Sequence, residues 1–143
     1  MSKERLIGAW RLERWTTQYE DGRLIYPMGE DATGFLLYTP DNYMSAFLSR
    51  GQRPAFTTGE QLTATAEEKI RGWDSYFSYC GSFSVEGDRV IHRVETCQYP
   101  NWVGQVQDRT LRFEGDRLHL LTPAQKTRRG LQTSAVVWRR TGG

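Results

Sequence analysis

Gln107, Arg109, Leu111 and Phe113 alternate through the run VQDRTLRF, so on a strand all four side chains share one face. If Leu111 and Phe113 face a core, a carboxamide and a guanidinium face it with them. Arginine keeps its charge at any ordinary pH, so an inward Arg109 needs a carboxylate, ordered water or a ligand. Its planar donor fork suits a carboxylate, an enolate or a carbonyl-rich substrate. Gln107 adds an amide donor and acceptor one step along the same face. A scaffold ion pair with Glu95 or Glu13 would meet the same need, and both readings stand.

The preceding run, RVIHRVETCQ, sets Val90, His92 and Val94 on one face against Ile91, Arg93, Glu95 and Cys97 on the other. Either face can be the inner one, and a bulge would combine parts of both. His92 inward would supply a general base or proton shuttle, since its ordinary pKa lies near neutrality. Glu95 inward would neutralise Arg109. His92, Glu95 and Arg109 are therefore the candidate catalytic groups. Candidate ligand contacts are Gln107, Arg109, the tyrosines Tyr38 and Tyr43 flanking the Thr39-Pro40-Asp41-Asn42 turn, and Trp102 in the YPNW connection. Trp102 is read either as a rim aromatic or, by slight preference, as a plug for one barrel end. His119 lies between Leu118 and Leu120, out of the apolar phase, and is expected on the outside.

Other chemistries find no support. Two isolated histidines and two distant cysteines lack the spacing of a zinc site, so no metal is expected. There is no glycine-rich phosphate loop, dinucleotide fingerprint or Gly-x-Ser-x-Gly turn, and no cofactor is expected. A net charge of +2, with basic and acidic residues interleaved, does not describe a nucleic-acid surface. No apolar run approaches the length of a membrane span or forms an N-terminal signal, so a cytoplasmic location is expected. Cys80 and Cys97 are read as free thiols.

The elements that position these groups follow from period and punctuation. After a short helical lead-in at 2–6, strands are expected at 8–17, 23–26, 33–38, 43–50, 82–86, 89–98, 104–114, 117–122 and 132–140. Gly87-Asp88 and Gly115-Asp116 mark tight hairpin turns. Residues 51–63 read as a loop. Thr65-Ala-Glu-Glu68 fits a capping box opening a helix over 66–79, with Ile70, Trp73, Phe77 and Cys80 along one stripe. The helix either lids or permanently seals one barrel end. Five Trp, seven Tyr and six Phe can fill a core or line a pocket. One domain over residues 1–143 is expected, an all-β antiparallel barrel of roughly eight to nine strands with one inserted helix. The competing arrangement is an open curved sheet with the helix across its concave face.

The segments LIGAWRL, YPMGEDATGFLLYTPDNYMSA (26–46), HRVE (92–95), YPNWVG (99–104) and EGDRLHLLTP (114–123) together resemble the bacterial and fungal lipocalin-like domain proteins. The resemblance implies a closed or nearly closed barrel in which Trp10 plugs the base beneath an arginine from a late strand, Arg139 or Arg140. It implies small-molecule binding, with some similar barrels acting as cyclases, isomerases or dehydratases. It carries over no catalytic set.

Three functions are therefore weighed. The first is a barrel that binds a small apolar or mixed-polarity metabolite. The second is a cofactor-free isomerase or cyclase of secondary metabolism, using His92 or Glu95 for proton transfer and Arg109 to stabilise oxygen charge. The third is a structural barrel, with Trp15 and the outer face of the last strand offering a surface for a homodimer.

Overall fold

The computed structural model describes residues 2–142. Apolar side chains recur at every second position along most of this chain, and an antiparallel sheet buries that face by curling on itself. A lead-in helix, α1 (Ser2–Leu6), precedes β1 (Gly8–Tyr19), β2 (Leu24–Ile25), β3 (Thr33–Tyr38) and β4 (Tyr43–Ser49). Helix α2 (Ala66–Asp74) follows, then β5 (Tyr76–Glu86), β6 (Arg89–Cys97), β7 (Val106–Glu114), β8 (Arg117–Leu121), β9 (Gln125–Thr127) and β10 (Gly130–Arg140).

Eight strands close the barrel, because β1 pairs with β3 on one side and with β10 on the other. The open-sheet alternative is thereby excluded. The two short strands extend the wall at one end: β2 pairs with Thr17 and Gln18 of β1, and β9 with residues 130–132 of β10. Gly87 and Gly115 take positive φ at their hairpin turns, as their sequence context requires.

Two bulges set the inward phase. In β1, Leu12 pairs with Trp138 and Arg14 with Val137, leaving Glu13 as the extra residue. Leu12 and Trp15 consequently both pack against the core although they are three apart. Trp15 is thus inside and is not part of the outer surface on which it was expected. In β6, Gly81 pairs with Val94 and Cys80 with Thr96, so Glu95 is the extra residue there. The backbones approach closely at this point: a Cβ on Gly81 would stand 1.8 Å from the Arg93 carbonyl oxygen.

The end formed around α1 is filled. Trp10 is buried and its Nε1 donates to the Leu6 carbonyl at 2.9 Å. Arg140 lays its guanidinium 4.1 Å from the Trp10 ring centre and donates to the carbonyls of Ile7 and Arg5. Arg140 is therefore the late-strand arginine that the resemblance implied. Arg139 turns outward to Asp116 and Glu13.

Helix α2 differs from its expectation. The capping box forms, with Thr65 Oγ1 accepting from the Glu68 backbone N–H and Glu68 accepting from the Thr65 N–H. Glu68 also accepts from Thr57 and Thr58, tying the preceding loop to the helix. The helix stops at Asp74, however, and Phe77 and Cys80 belong to β5. Ile70 and Trp73 are 61% and 50% exposed, so no apolar stripe seats α2 over a barrel end. His119 faces outward as expected, yet it is buried. Between Leu118 and Leu120 it is covered by Arg112 and Glu114. Both cysteines are free thiols, and no described helix is long and apolar enough to cross a membrane.

Candidate functional site

At the end opposite Trp10 the barrel holds a cavity of about 440 Å³. Leu36 and Trp138 line its depth, and Ile25 of β2 and Gln125 of β9 reach its rim. Trp15, Phe77, Trp102 and Val136 contribute aromatic and apolar wall. Trp102 meets Phe77 and Tyr79 edge-on, with ring centres 5.3 and 5.7 Å away. It is therefore a wall aromatic of the cavity, whereas Trp10 is the plug. No residue of α2 lines this space, so neither a lid nor a seal is formed by the helix.

His92 faces inward with Val90 and Val94, and it is only 1% exposed. Its Nε2 lies 2.7 Å from the Tyr38 hydroxyl and its Nδ1 lies 2.6 Å from the Tyr79 hydroxyl. Burial, reinforced by the positive charge of Arg109, pushes its pKa down to about 3. Burial likewise pushes the Tyr79 hydroxyl up to about 12 and Tyr38 well above its ordinary value. All three groups are thus neutral across the physiological range.

A neutral imidazole donates through one nitrogen and accepts through the other. One tyrosine must therefore give its proton to His92, and the other must receive the imidazole N–H. Tyr38 is buried away from the cavity lining, so an accepting Tyr38 would strand its own O–H without a partner. Tyr79 lines the cavity and has space for its proton. The economical arrangement has Tyr38 donating to Nε2 and Nδ1–H donating to Tyr79, whose O–H then points to the cavity.

Gln107 and Arg109 line the same space, on the face shared with Leu111 and Phe113. Arg109 donates to the Asp108 carbonyl at 2.9 Å and to Gln107 Oε1 at 3.2 Å. Among the described residues no carboxylate pairs with it. Glu13 is engaged on the outer surface by Arg117 and Arg139, at 3.0 and 2.6 Å. Glu95, in its bulge, is exposed. Both expected scaffold ion pairs are therefore absent, for one reason: each carboxylate sits at an extra residue that the strand pushes outside. Tyr43, 51% exposed, is on the outer face and does not join Tyr38.

The structure thus brings together Tyr38, His92, Trp102, Gln107 and Arg109 and leaves Glu95 and Tyr43 apart. It adds Tyr79, Phe77, Trp15 and Trp138, which the sequence reading did not assign to the site. The Trp138 indole N–H is buried in the lining without a hydrogen-bond partner. Phe77 and Tyr79 were legible as alternating with Phe83 and Val85, but the competing helical spacing from Ile70 obscured this. Among the described residues no cluster of metal-ligating side chains occurs.

A second space, about 650 Å³, runs along the surface between residues 50–56 and α2. Its buried Ser75 is already satisfied, accepting from Arg53 and donating to the Arg71 carbonyl. Among the described residues the one buried side-chain donor without a partner, the Trp138 indole N–H, is in the barrel.

Comparison with known proteins agrees with this geometry. A family model described as a lipocalin-like domain matches residues 7–141. The 4'-hydroxy-3'-methoxypropiophenone carrier protein ppsC of Aspergillus oryzae is 36% identical over 106 residues, which cover 68% of this chain and 96% of that protein. The crystal structure of a lipocalin-like protein from Bacteroides uniformis aligns with a TM-score of 0.50 at 13% identity, covering 96% of this chain and 99% of that one. That likeness concerns the fold alone.

Proposed function

The chain belongs to the lipocalin-like domain family, and from that premise we propose that its barrel binds and carries a compact aromatic metabolite bearing oxygen substituents. The observation that carries this reading is Arg109: a charged donor, unpaired by any described carboxylate, in a cavity whose other lining residues are aromatic, aliphatic or uncharged polar side chains. At about 440 Å³ the space falls in the range of small-molecule sites, roughly 300–1,000 Å³, and it is open rather than filled. This speaks against a purely structural barrel. The Aspergillus relative is named for carrying a hydroxylated aryl ketone. A ligand of that kind offers flat rings to Trp15 and Trp102 and oxygen acceptors to Tyr79 and Arg109.

The same geometry tells against an isomerase or cyclase built on His92 and Glu95. Both nitrogens of His92 are occupied and burial holds the ring neutral, while Glu95 is outside. Neither is placed to exchange a proton with a molecule in the cavity.

The test is a titration of tryptophan fluorescence with 4'-hydroxy-3'-methoxypropiophenone. Trp15, Trp102 and Trp138 line the cavity, so saturable quenching is expected, weakened when Trp102 is replaced by alanine. Absence of saturable binding to this ketone and to simple phenols, checked by calorimetry, would reject the carrier reading.

A further inference from the structure

We propose that the cavity selects its aromatic ligand in an anionic form, with a phenolate, enolate or carboxylate oxygen set against Arg109. The inference rests on the binding reading above and extends it to the charge of the cargo.

The lining contains one permanent positive charge and no aspartate or glutamate. Thr17, Thr122, Gln125, Gln132 and Ser134 add uncharged groups that can donate or accept, whereas Arg109, Gln107 and Tyr79 turn donors to the space. Arg109 has five N–H donors and commits one on each terminal nitrogen to Asp108 and Gln107. Gln107 spends its carbonyl oxygen on Arg109, which leaves its NH₂ as the free end. Tyr79, receiving from His92, offers its O–H outward. Trp138 also lines the space, but its unpartnered indole N–H is buried behind the wall. Three different side chains thus present donors to one space. A neutral carbonyl would satisfy hydrogen bonds but leave the guanidinium charge uncompensated in an apolar setting. An oxyanion answers both needs, and charge-assisted hydrogen bonds are roughly twice as strong as neutral ones. An ammonium group would find neither an anionic acceptor nor a favourable potential.

No neighbour reverses this sign. The titratable groups facing Arg109 are Tyr38 on β3, Tyr79 on β5 and His92 on β6, with Cys97 of β6 against Tyr79 and Tyr19 of β1 further toward the rim. Burial keeps His92 uncharged and holds the thiol of Cys97, like the hydroxyls of Tyr38 and Tyr79, in its protonated form. Strands β8 and β10 bring no charged side chain to the lining.

4-Nitrophenol is a suitable probe, because it is compact, ionises near neutral pH and is coloured only as the phenolate. Its ionisation is followed by absorbance with and without saturating protein. The expected result is a midpoint lowered by about one pH unit or more, equivalent to at least about a tenfold preference for the phenolate. Arg109→Met should abolish the shift and Arg109→Lys should retain part of it. Should the methionine variant fold poorly, the shift in the native protein and its reduction in the lysine variant still decide the matter. An unchanged or raised midpoint for the bound probe, or a full shift in Arg109→Met, overturns the proposal. 4-Nitroanisole, which cannot ionise, separates the two readings. If it binds while the nitrophenol midpoint stays fixed, the cavity binds aromatics without selecting anions. If neither probe binds, the carrier reading falls as well. Displacement of nitrophenolate by benzoate would identify a carboxylate as the preferred headgroup. Failure of benzoate with the shift intact would restrict the ligand to phenolates and enolates.

Discussion

At the closed end of the barrel, Arg140 lies over the ring of Trp10 and gives its N–H groups to carbonyls of Ile7 and Arg5. At the open end, Arg109 stands among Trp15, Trp102 and Trp138 with one backbone carbonyl and one side-chain amide as partners. The residue types are the same and the outcomes are opposite. Arg140 has its charge over a π face and its donors on the carbonyls that end α1, so it completes a plug. Arg109 has donors to spare and room in front of them. Each arginine makes two hydrogen bonds, so the difference between one that serves the fold and one available to a ligand rests on what lies against the guanidinium: the Trp10 ring for Arg140, the open cavity for Arg109.

The comparison can be broken most directly at Trp10. Trp10→Ala should cost about 3–5 kcal/mol of unfolding free energy, measured by urea denaturation, because the buried ring has little chance of being replaced by collapse of its surroundings. A loss below about 1 kcal/mol would mean that the closed end is not a plug.

The next largest effect should come from pH and the His92 relay between the two ends. Folded His92 stays neutral down to about 3, whereas in the unfolded chain it takes up a proton near 6.5. The unfolded state therefore binds more protons in that window, and stability is full above it and falls as pH drops through it. Between pH 6.5 and 4.5 this should remove roughly 2–3 kcal/mol, at about 1.4 kcal/mol per pH unit. Below about 4.5 the carboxylates Glu13 and Glu68, both held under their ordinary values, add to the loss. Denaturant midpoints across this range should be clearly flatter for His92→Asn, and an equal slope would refute the buried neutral imidazole.

A smaller cost is expected for Tyr38→Phe, which strands Nε2 without a donor, at about 1–3 kcal/mol. The direction of the relay can be read independently by nitrogen NMR of the imidazole, where the native protein should show the proton on Nδ1. A proton on Nε2 would reverse the relay and turn the Tyr79 hydroxyl away from the cavity.

The smallest effect should be that of Arg109→Met on stability. Removing a charge that no described carboxylate balances should leave the unfolding free energy within about 1 kcal/mol of the native value or raise it. A loss of about 3 kcal/mol or more would assign Arg109 to the scaffold, as Arg140 is, and erase the contrast between the ends.

Much of this arrangement was legible in the residues. The alternation of Gln107, Arg109, Leu111 and Phe113 placed a guanidinium inside correctly, and the Gly-Asp turns fixed the hairpins joining β5 to β6 and β7 to β8. What was hidden had a common cause, since period alone cannot see an inserted residue. Glu13 and Glu95 each add one position to a strand, so a fixed alternation placed Trp15 outside and left the facing of Glu95 undecided. Tyr79 was lost differently. Ile70, Trp73, Phe77 and Cys80 satisfy a helical spacing, and Phe77, Tyr79, Phe83 and Val85 satisfy that of a strand. The chain resolves the conflict at Ser75, where the helix ends and its hydroxyl turns back to the Arg71 carbonyl. The short strand β9 escaped because three polar residues after Pro123 carry no periodic signal.

The bulge at Glu13 has a consequence for how the gene can change. Because Glu13 has no partner across the ladder, an in-frame loss of codon 13 would keep Trp15, Thr17 and Tyr19 facing inward and would sacrifice the ion pairs to Arg117 and Arg139. Loss of codon 16 would instead turn Thr17 and Tyr19 to the outside and strip one wall from the cavity. Codon 95 has the same standing in β6. Length variation in these two strands should therefore collect at two glutamate codons, where the reading of inside and outside survives it.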